Sequence, residues 1–307
     1  MNKLLIISAQ GQNSFKPEQL GRLTHCADTH FLSCLTPMTA DEFVRQTAGY
    51  AFLAFTRRAV HDLDRNIIGR LPHLQGVSVY ATGYEWIDVA ALNSRDIAFW
   101  RIEDYCTEAV AEHALGMLLT MIRRIHLSHD RSRKLIDASV SLRGTQLSGK
   151  TIAILGYGRI GRRFERILTG FDTRVLKYDP AVPDADAPDR DTLLRIADAV
   201  VLCANHIRGA PPIIGAPQLQ LMKHGALLIN PSRANLVDHF AVIAAIGART
   251  LAGYAIDDTL PILQEHLHQL EPGRILQTAH TAWYSEEALE KGTATWVDNI
   301  CRMVTSH

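Results

Sequence analysis

One segment near the middle of the chain constrains its fold more than any other. It reads TIAILGYGRIG and continues as RRFERILTGF, an apolar strand pattern that runs through spaced glycines into a helix pattern. In such a turn Gly156 permits the tight bend, Gly158 lets the backbone approach a pyrophosphate, and Gly161 lets the helix pack against the strand. The N–H groups and dipole of the helix start, at Arg159 and Ile160, favour phosphate. The segment therefore predicts a dinucleotide-binding turn.

The residue after the next apolar strand indicates which nicotinamide cofactor fits. TRVLKY leads into Asp179, which lies 18 residues beyond Gly161. An aspartate at this position accepts the ribose hydroxyls of NAD and repels a 2′-phosphate. We therefore expect NAD(H) rather than NADP(H). A packing turn in some other α/β protein is the alternative interpretation at this point.

The rest of the chain continues the alternation of short apolar runs with longer amphipathic stretches, which is typical of parallel βαβ units. We predict an α/β fold with two Rossmann-like, doubly wound parallel sheets. Long helices are expected from Thr107 to about His126 and from Ser285 to about Val304. The first is apolar on more than one side, which predicts burial against another domain or subunit. The predicted strands are Lys3–Ser8, Ala51–Thr56, Val77–Ala81, Ile97–Ile102, Thr151–Leu155, Thr173–Tyr178, Ala199–Leu202, Ala226–Asn230, Ala252–Ile256 and Ile275–Thr278.

Composition argues against several classes of partner. The 32 basic residues balance the 32 acidic ones, so no net field attracts nucleic acid or an anionic membrane. The five cysteines are scattered without CxxC spacing, which argues against a disulfide framework and a zinc site. No apolar run is long enough for a membrane span or a signal peptide. We expect a cytoplasmic enzyme that binds neither nucleic acid, membrane nor metal.

Motifs in order along nearly the whole chain resemble the D-isomer-specific 2-hydroxyacid dehydrogenase family, which includes D-lactate and phosphoglycerate dehydrogenases. The resemblance implies a discontinuous, flavodoxin-like substrate domain at 1–100 plus 285–307 and an NAD-binding Rossmann domain at 101–284, with the active site in the cleft. It also implies a homodimer, with the helix at 107–126 in the interface. The matching segments are GYEWID at 83–88, YCTEAVAEHALGMLL at 105–119, LSGKTIAILGYGRIGRR at 147–163, INPSRANLVD at 229–238, GYAIDD at 253–258 and TAHTAWYSEEAL at 278–289.

The same resemblance assigns roles to individual residues. Arg233 matches the arginine that clamps the substrate carboxylate and polarises its 2-oxo group. His280 matches the histidine that gives a proton to the carbonyl oxygen as hydride arrives. Asp257 matches the residue that bonds the nicotinamide carboxamide. Gly83 and Tyr84 match the loop whose backbone N–H groups take the substrate carboxylate, so a small or medium 2-oxo or 2-hydroxy acid is expected.

One member of the family's catalytic set is missing. A glutamate before a proline normally orients the histidine and raises its pKa by opposite charge. Here Leu260 precedes the proline, and a gapless count places Ile262 at that site. Asp258 or Glu265 would substitute if the loop folds inward. Without such a partner, His280 is expected to be a weaker acid catalyst near neutral pH.

Three functions are compatible with this pattern. The first is an NAD(H)-dependent oxidoreductase that interconverts a 2-oxo acid and a D-2-hydroxy acid by hydride transfer. The second is an NAD(H)-binding regulatory protein that keeps the fold without turnover, and the third is a dehydrogenase for an unusual small anion. The presence of both Arg233 and His280 favours an enzyme, whereas the apolar residues at 260 and 262 favour the regulatory protein.

Overall fold

The computed structural model describes residues 2–182 and 189–306. It divides into two units, one formed by the residues up to Cys106 together with those from Ser285 onward, the other by Thr107–Tyr284. The first division lies after residue 106, whereas we predicted it after residue 100. Ile102 is fully buried in the core of the first unit. The chain therefore leaves that unit several residues after the boundary that the sequence predicted.

Among the described residues, the strands and helices alternate as the sequence predicts. The strands are β1 (Lys3–Ser8), β2 (Asp28–Ser33), β3 (Phe52–Phe55), β4 (Gly76–Val79), β5 (Ala98–Arg101), β6 (Thr151–Leu155), β7 (Arg174–Tyr178), β8 (Ala199–Leu202), β9 (Ala226–Asn230), β10 (Leu251–Ile256) and β11 (Ile275–Gln277). The helices are α1 (Pro17–Cys26), α2 (Ala40–Thr47), α3 (Arg65–Gly69), α4 (Val89–Asn93), α5 (Thr107–Arg123), α6 (Ile125–Ser132), α7 (Arg159–Leu168), α8 (Arg190–Ile196), α9 (Ala216–Leu221), α10 (His239–Gly247), α11 (Pro261–His266) and α12 (Glu286–Thr305).

The first unit is a parallel sheet in the order β2-β1-β3-β4-β5, with helices on both faces. Successive residues of β1 face opposite sides, as strand geometry requires. Leu5 and Ile7 belong to the apolar cluster under α2, α3 and α4. Leu4 and Ile6 belong to the cluster that α1 and α12 cover, which includes Trp296.

The second unit is a parallel sheet in the order β11-β10-β9-β8-β6-β7. Helices α8 to α11 cover one face, and α5 and α7 cover the other. The prediction of two doubly wound parallel sheets is confirmed. None of the described helices has the length and hydropathy needed to cross a membrane.

Two details differ from the prediction. Strand β2 was not expected, because its residues are only partly buried and its sequence DTHFLS is mostly polar, as suits a sheet edge. The long helix ends at Arg123 instead of near His126, because Arg124 adopts a left-handed conformation with φ 54°. Its buried residues, among them Ala114 and Leu118, pack within the second unit itself. Much of the apolar surface of α5 is therefore explained without another subunit.

Candidate functional site

The glycine turn lies at the point where the strand order of the second unit reverses. Strand β6 is flanked by β7 and β8, and ligands of such sheets bind outside the carboxyl ends of the strands at this point. Gly156 has φ +94°, and a Cβ there would overlap the backbone of Cys203 and Ala204 at the end of β8. A Cβ at Gly161 would overlap the carbonyl oxygen of Gly156. Both glycines are therefore required by the protein's own packing.

Gly158 differs, because a Cβ there would meet no atom within 4 Å. It is the N-cap of α7 and makes no side-chain cap hydrogen bond. The first turn, which begins with Arg159 and Ile160, contains no acidic residue. Open space above uncapped N–H groups at a helix start is the arrangement that receives a phosphate. The turn fits the diphosphate of a dinucleotide.

Asp179 lies just beyond β7, next to the turn. One of its carboxylate oxygens accepts a hydrogen bond from the Tyr157 N–H at 2.8 Å, and the other accepts one from the Ala181 N–H at 2.9 Å. Each oxygen retains a lone pair for a further donor. The carboxylate is therefore held in one orientation while still able to accept ribose hydroxyls.

A polar cluster that sequence reasoning missed supports the same turn. Tyr157 is buried, and its hydroxyl donates a hydrogen bond to Glu165 on α7. Lys177 on β7 reaches the same carboxylate at 3.0 Å. Burial alone would raise the pKa of Glu165, but the hydrogen bonds from Tyr157 and Lys177 and the positive charge of Lys177 outweigh it and lower that pKa. The cluster links β7, the turn and α7 through side-chain contacts. The spacing of its three residues matches no known motif, so the sequence could not predict it.

Three neighbouring strands bring the other predicted residues to the same edge of the sheet. β9, β10 and β11 are parallel, and their last residues pair in register. Arg233, Asp257 and His280 each follow one of these strand ends within three residues. The structure therefore gathers these three predicted site residues, together with the glycine turn and Asp179, along the carboxyl edge of one sheet.

Arg233 is positioned by a buried polar residue at the end of β9. Asn230 is fully buried, and its side-chain N–H donates to the Arg233 carbonyl at 2.8 Å. Its side-chain oxygen accepts from the Ser232 N–H at 3.1 Å, and the Ser232 hydroxyl donates to the Leu202 carbonyl on β8 at 2.7 Å. The backbone that carries the guanidinium is thus fixed to two strands.

Asp257 has a structural role that the sequence did not indicate. Its carboxylate is buried and accepts hydrogen bonds from the Thr278 hydroxyl at 2.6 Å, the Thr281 N–H at 2.8 Å and the Ala282 N–H at 2.7 Å. These donors belong to the turn that contains His280. His280 has φ +57°, an uncommon conformation for a residue with a side chain. The bonds on both sides of His280 hold it in that conformation.

His113 on α5 is a further residue that the sequence analysis missed. Its Nε2 lies 3.2 Å from the Thr278 hydroxyl oxygen and 3.8 Å from a carboxylate oxygen of Asp257. It thus extends the hydrogen-bonded group that holds the turn around His280. The only sequence signal is its place in AVAEHALG, a motif segment that the resemblance includes without assigning the histidine a role.

The loop that lacks the expected glutamate is apolar in the structure as well. Leu260 and Ile262 pack against the apolar cluster under α8 to α11. Glu265 is exposed on α11. Asp258 accepts a hydrogen bond from the Thr259 N–H and adds negative charge near His239, whose pKa is nevertheless lowered by burial. Neither Asp258 nor Glu265 stands at position 260 or 262, where the resemblance places the glutamate.

Gly83 and Tyr84 belong to the first unit, where they follow β4. The Gly83 carbonyl accepts a hydrogen bond from the indole N–H of Trp86 at 3.2 Å. Tyr84 is 43% exposed, with the Arg101 guanidinium 5.0 Å from its ring centroid. The exposed ring leaves Tyr84 free to contact a ligand in solvent, and the substrate role of Gly83 and Tyr84 stays a prediction.

Known proteins of one family resemble this chain. The family model described as "D-isomer specific 2-hydroxyacid dehydrogenase, NAD binding domain" matches residues 115–282. A D-lactate dehydrogenase of Curvularia clavata is 31% identical over 252 residues, covering 75% of this chain and 72% of the relative. A glycerate dehydrogenase of Methylorubrum extorquens is 28% identical over 275 residues, covering 85% of each. The solved apo-structure of D-lactate dehydrogenase from Escherichia coli aligns with TM-score 0.77 and 25% identity over 99% of this chain and 98% of that one.

Proposed function

Since the chain belongs to the D-isomer specific 2-hydroxyacid dehydrogenase family of NAD-dependent oxidoreductases, we propose that it reduces a small 2-oxo acid to the D-2-hydroxy acid with NADH. The observation that carries the proposal is the shared edge of β9, β10 and β11, from which Arg233, Asp257 and His280 follow. This edge supplies a guanidinium for an anion, a buried carboxylate and an imidazole. Carbonyl reduction needs an anion-binding group and a proton donor of this kind.

The cofactor is NAD(H), and it supplies the hydride. The open space at Gly158 and the uncapped start of α7 support binding of its diphosphate there. The fixed carboxylate of Asp179 supports binding of the adenosine ribose. The residues assigned to the cofactor are Gly156, Gly158, Arg159, Ile160, Gly161, Asp179 and Asp257.

The proton and the substrate are handled by two side chains. Arg233 binds the carboxylate of the 2-oxo acid and draws electron density from its carbonyl oxygen. His280 enters as the imidazolium and gives its proton to that oxygen as the C–H bond forms, which leaves neutral imidazole. The reverse reaction runs through the same groups, with His280 as the base. Gly83 and Tyr84 are assigned to the substrate as well, with their backbone N–H groups binding its carboxylate.

A regulatory NAD(H)-binding protein is the second candidate, and one observation favours it. Leu260 and Ile262 pack as apolar residues where a histidine partner is expected. Such a protein would bind NADH tightly and turn over none of the oxo acids. A dehydrogenase for an unusual small anion would oxidise or reduce none of the common 2-oxo acids. Its activity would appear only when other small anions are tested as substrates.

The decisive experiment measures NADH oxidation with pyruvate, hydroxypyruvate and longer 2-oxo acids from pH 5 to pH 8. We expect turnover that increases as the pH falls, and a loss of about 10²–10⁴-fold in kcat for His280→Gln. His268→Gln is the matched control, because His268 is exposed on the same unit. Tight NADH binding without turnover on any acid would replace the enzyme proposal with the regulatory one.

We also infer a homodimer. Ile125 at the start of α6 is 53% exposed, and Leu135 just beyond α6 is 60% exposed, so apolar surface remains at both ends of α6. Burial of such side chains against a second copy is favourable. Light scattering at micromolar concentration is expected to give twice the chain mass of 34.1 kDa. A monomer mass at that concentration would contradict the inference.

A further inference from the structure

Two cysteines lie where the first and last helices of the first unit pack together. Cys26 is the final residue of α1, and Cys301 lies near the end of α12. Both are partly buried and flank the apolar cluster that the two helices share. We propose that Cys26 and Cys301 form a reversible disulfide on exposure to a hydroperoxide, joining α1 to α12.

The contacts around the two thiols support this proposal. The Cys26 thiol donates a hydrogen bond to the Leu23 carbonyl oxygen in the last turn of α1, at 3.2 Å. The Cys301 sulfur also lies 3.8 Å from the Arg22 carbonyl oxygen, one turn before the end of α1. The Arg22 guanidinium donates to Asp298 at 2.6 Å, one turn before Cys301. An ion pair and a thiol contact therefore connect the same turns of both helices.

The charges around the pair make one sulfur a nucleophile and leave the proton on the other. Interaction with the Cys26 thiol, together with the nearby Arg22 guanidinium, lowers the pKa of Cys301 to about 7, although burial and Asp298 oppose this. The same interaction and burial raise the pKa of Cys26. Near neutral pH part of the Cys301 population is therefore thiolate close to the Cys26 thiol, which is the arrangement of an attacking and a resolving cysteine.

The chemistry balances with a hydroperoxide as the oxidant. The Cys301 thiolate attacks one peroxide oxygen, the O–O bond breaks, and Cys301 becomes a sulfenic acid as the other oxygen leaves as hydroxide or alkoxide. The Cys26 sulfur then attacks the Cys301 sulfur, an S–S bond forms, the S–O bond breaks, and the sulfenic hydroxyl leaves as water with the proton from Cys26. The two thiols lose two electrons, and the peroxide gains them.

The remaining cysteines provide internal comparisons. Cys34 and Cys203 are buried, and burial raises the pKa of both thiols, which lowers their reactivity. Cys106 is partly exposed, as the pair is. Cys106→Ser is therefore the matched control for Cys301→Ser.

The test treats the full-length protein with hydrogen peroxide, denatures it in the presence of a thiol-alkylating reagent and counts the free thiols. We expect the count to fall from five to three and to return to five with dithiothreitol. Trypsin cleaves after Arg22, Arg45, Lys291 and Arg302, so mass spectrometry should find peptide 23–45 joined to peptide 292–302. Because Cys34 lies in the first peptide, Cys34→Ser is used to assign the bond to Cys26.

Cys301→Ser should abolish the loss of two thiols, whereas Cys106→Ser should retain it. In Cys26→Ser the sulfenic acid on Cys301 should be captured by dimedone. The proposal is overturned if the linked peptide is absent from the oxidised wild-type protein. It is also overturned if Cys301→Ser loses thiols as fast as Cys106→Ser does. The wild-type peptide map decides the question even if a variant does not fold.

Discussion

The carboxylate of Asp257 accepts three hydrogen bonds from the turn that contains His280, and this turn has an unfavourable backbone conformation at its centre. A negative charge so deeply buried is stable only when several donors surround it. The same residue therefore fixes the backbone of the proposed proton donor. His113, through Thr278, belongs to the same group.

Asp257→Asn is expected to lower the free energy of unfolding by about 1.5–3 kcal/mol, because an amide cannot accept from both backbone donors. The kcat with NADH should fall as well, since the turn at His280 loosens. Urea unfolding and steady-state kinetics measure the two effects. Asp258→Asn is the control and should change neither by a comparable amount. An unaltered stability for Asp257→Asn would refute the structural role.

A carboxylate returned to the apolar loop should change the pH dependence. Without one, the reduction rate is expected to decline as the pH rises, because His280 loses the proton that it donates. In Ile262→Glu or Leu260→Glu, opposite charge near His280 should raise its pKa and move the optimum upward. Gln264→Glu adds the same charge at an exposed position of α11 and should leave the profile unchanged. Identical profiles for all three variants would mean that the loop does not approach His280.

Removal of the charge at Asp179 should relax cofactor preference. The ratio of kcat/KM for NADPH to that for NADH is expected to rise about tenfold in Asp179→Ala, equivalent to about 1.4 kcal/mol of repulsion removed. Asp179→Asn should also relax it while retaining more NADH affinity, because the amide oxygen still accepts one backbone N–H. A preference for NADH that survives both substitutions would remove Asp179 from its assigned role.

At the scale of elements, the three glycines of the turn have separable functions. Gly156→Ala should destabilise the fold without any ligand, because φ is +94° and the Cβ overlaps β8. Gly158→Ala should leave the melting temperature of the ligand-free protein unchanged and weaken NADH binding, since its Cβ enters open space. Gly116→Ala, in the open middle of α5, is the control and should add about 0.5–1 kcal/mol of stability. Equal NADH affinity in Gly158→Ala and Gly116→Ala would contradict the proposed diphosphate position.

The sequence predicts apolar strands better than mostly polar ones. Strand β6 and the turn after it were predicted because β-branched residues favour a strand and spaced glycines favour a tight turn. Strand β2 was missed because an edge strand needs little apolar surface. The break at Arg124 has no sequence signal, since arginine favours helices and its left-handed conformation depends on tertiary packing. The roles of His113 and Tyr157 likewise depend on contacts between distant segments.

At the scale of the molecule, the first unit is built from both ends of the chain. Trp296 of α12 is 2% exposed, stacks with Phe15 at 5.7 Å and meets Tyr80 edge to face at 5.4 Å. Trp296→Ala should therefore cost about 3–5 kcal/mol of unfolding free energy. Fluorescence titration should show the NADH affinity of the folded variant within twofold of wild type, because the glycine turn belongs to the other unit. A stability within 1 kcal/mol of the wild-type value, measured by urea unfolding, would contradict this packing.

Because α12 packs on the first unit, the two units should fold in a defined order during synthesis on the ribosome. The face of the sheet that contains Leu4 and Ile6 stays without its closing helix until α12 has left the exit tunnel. Thr107–Tyr284 emerges earlier as one continuous segment. Nascent chains should therefore acquire a protease-resistant middle before a protease-resistant start, the reverse of the usual N-terminal-first progression.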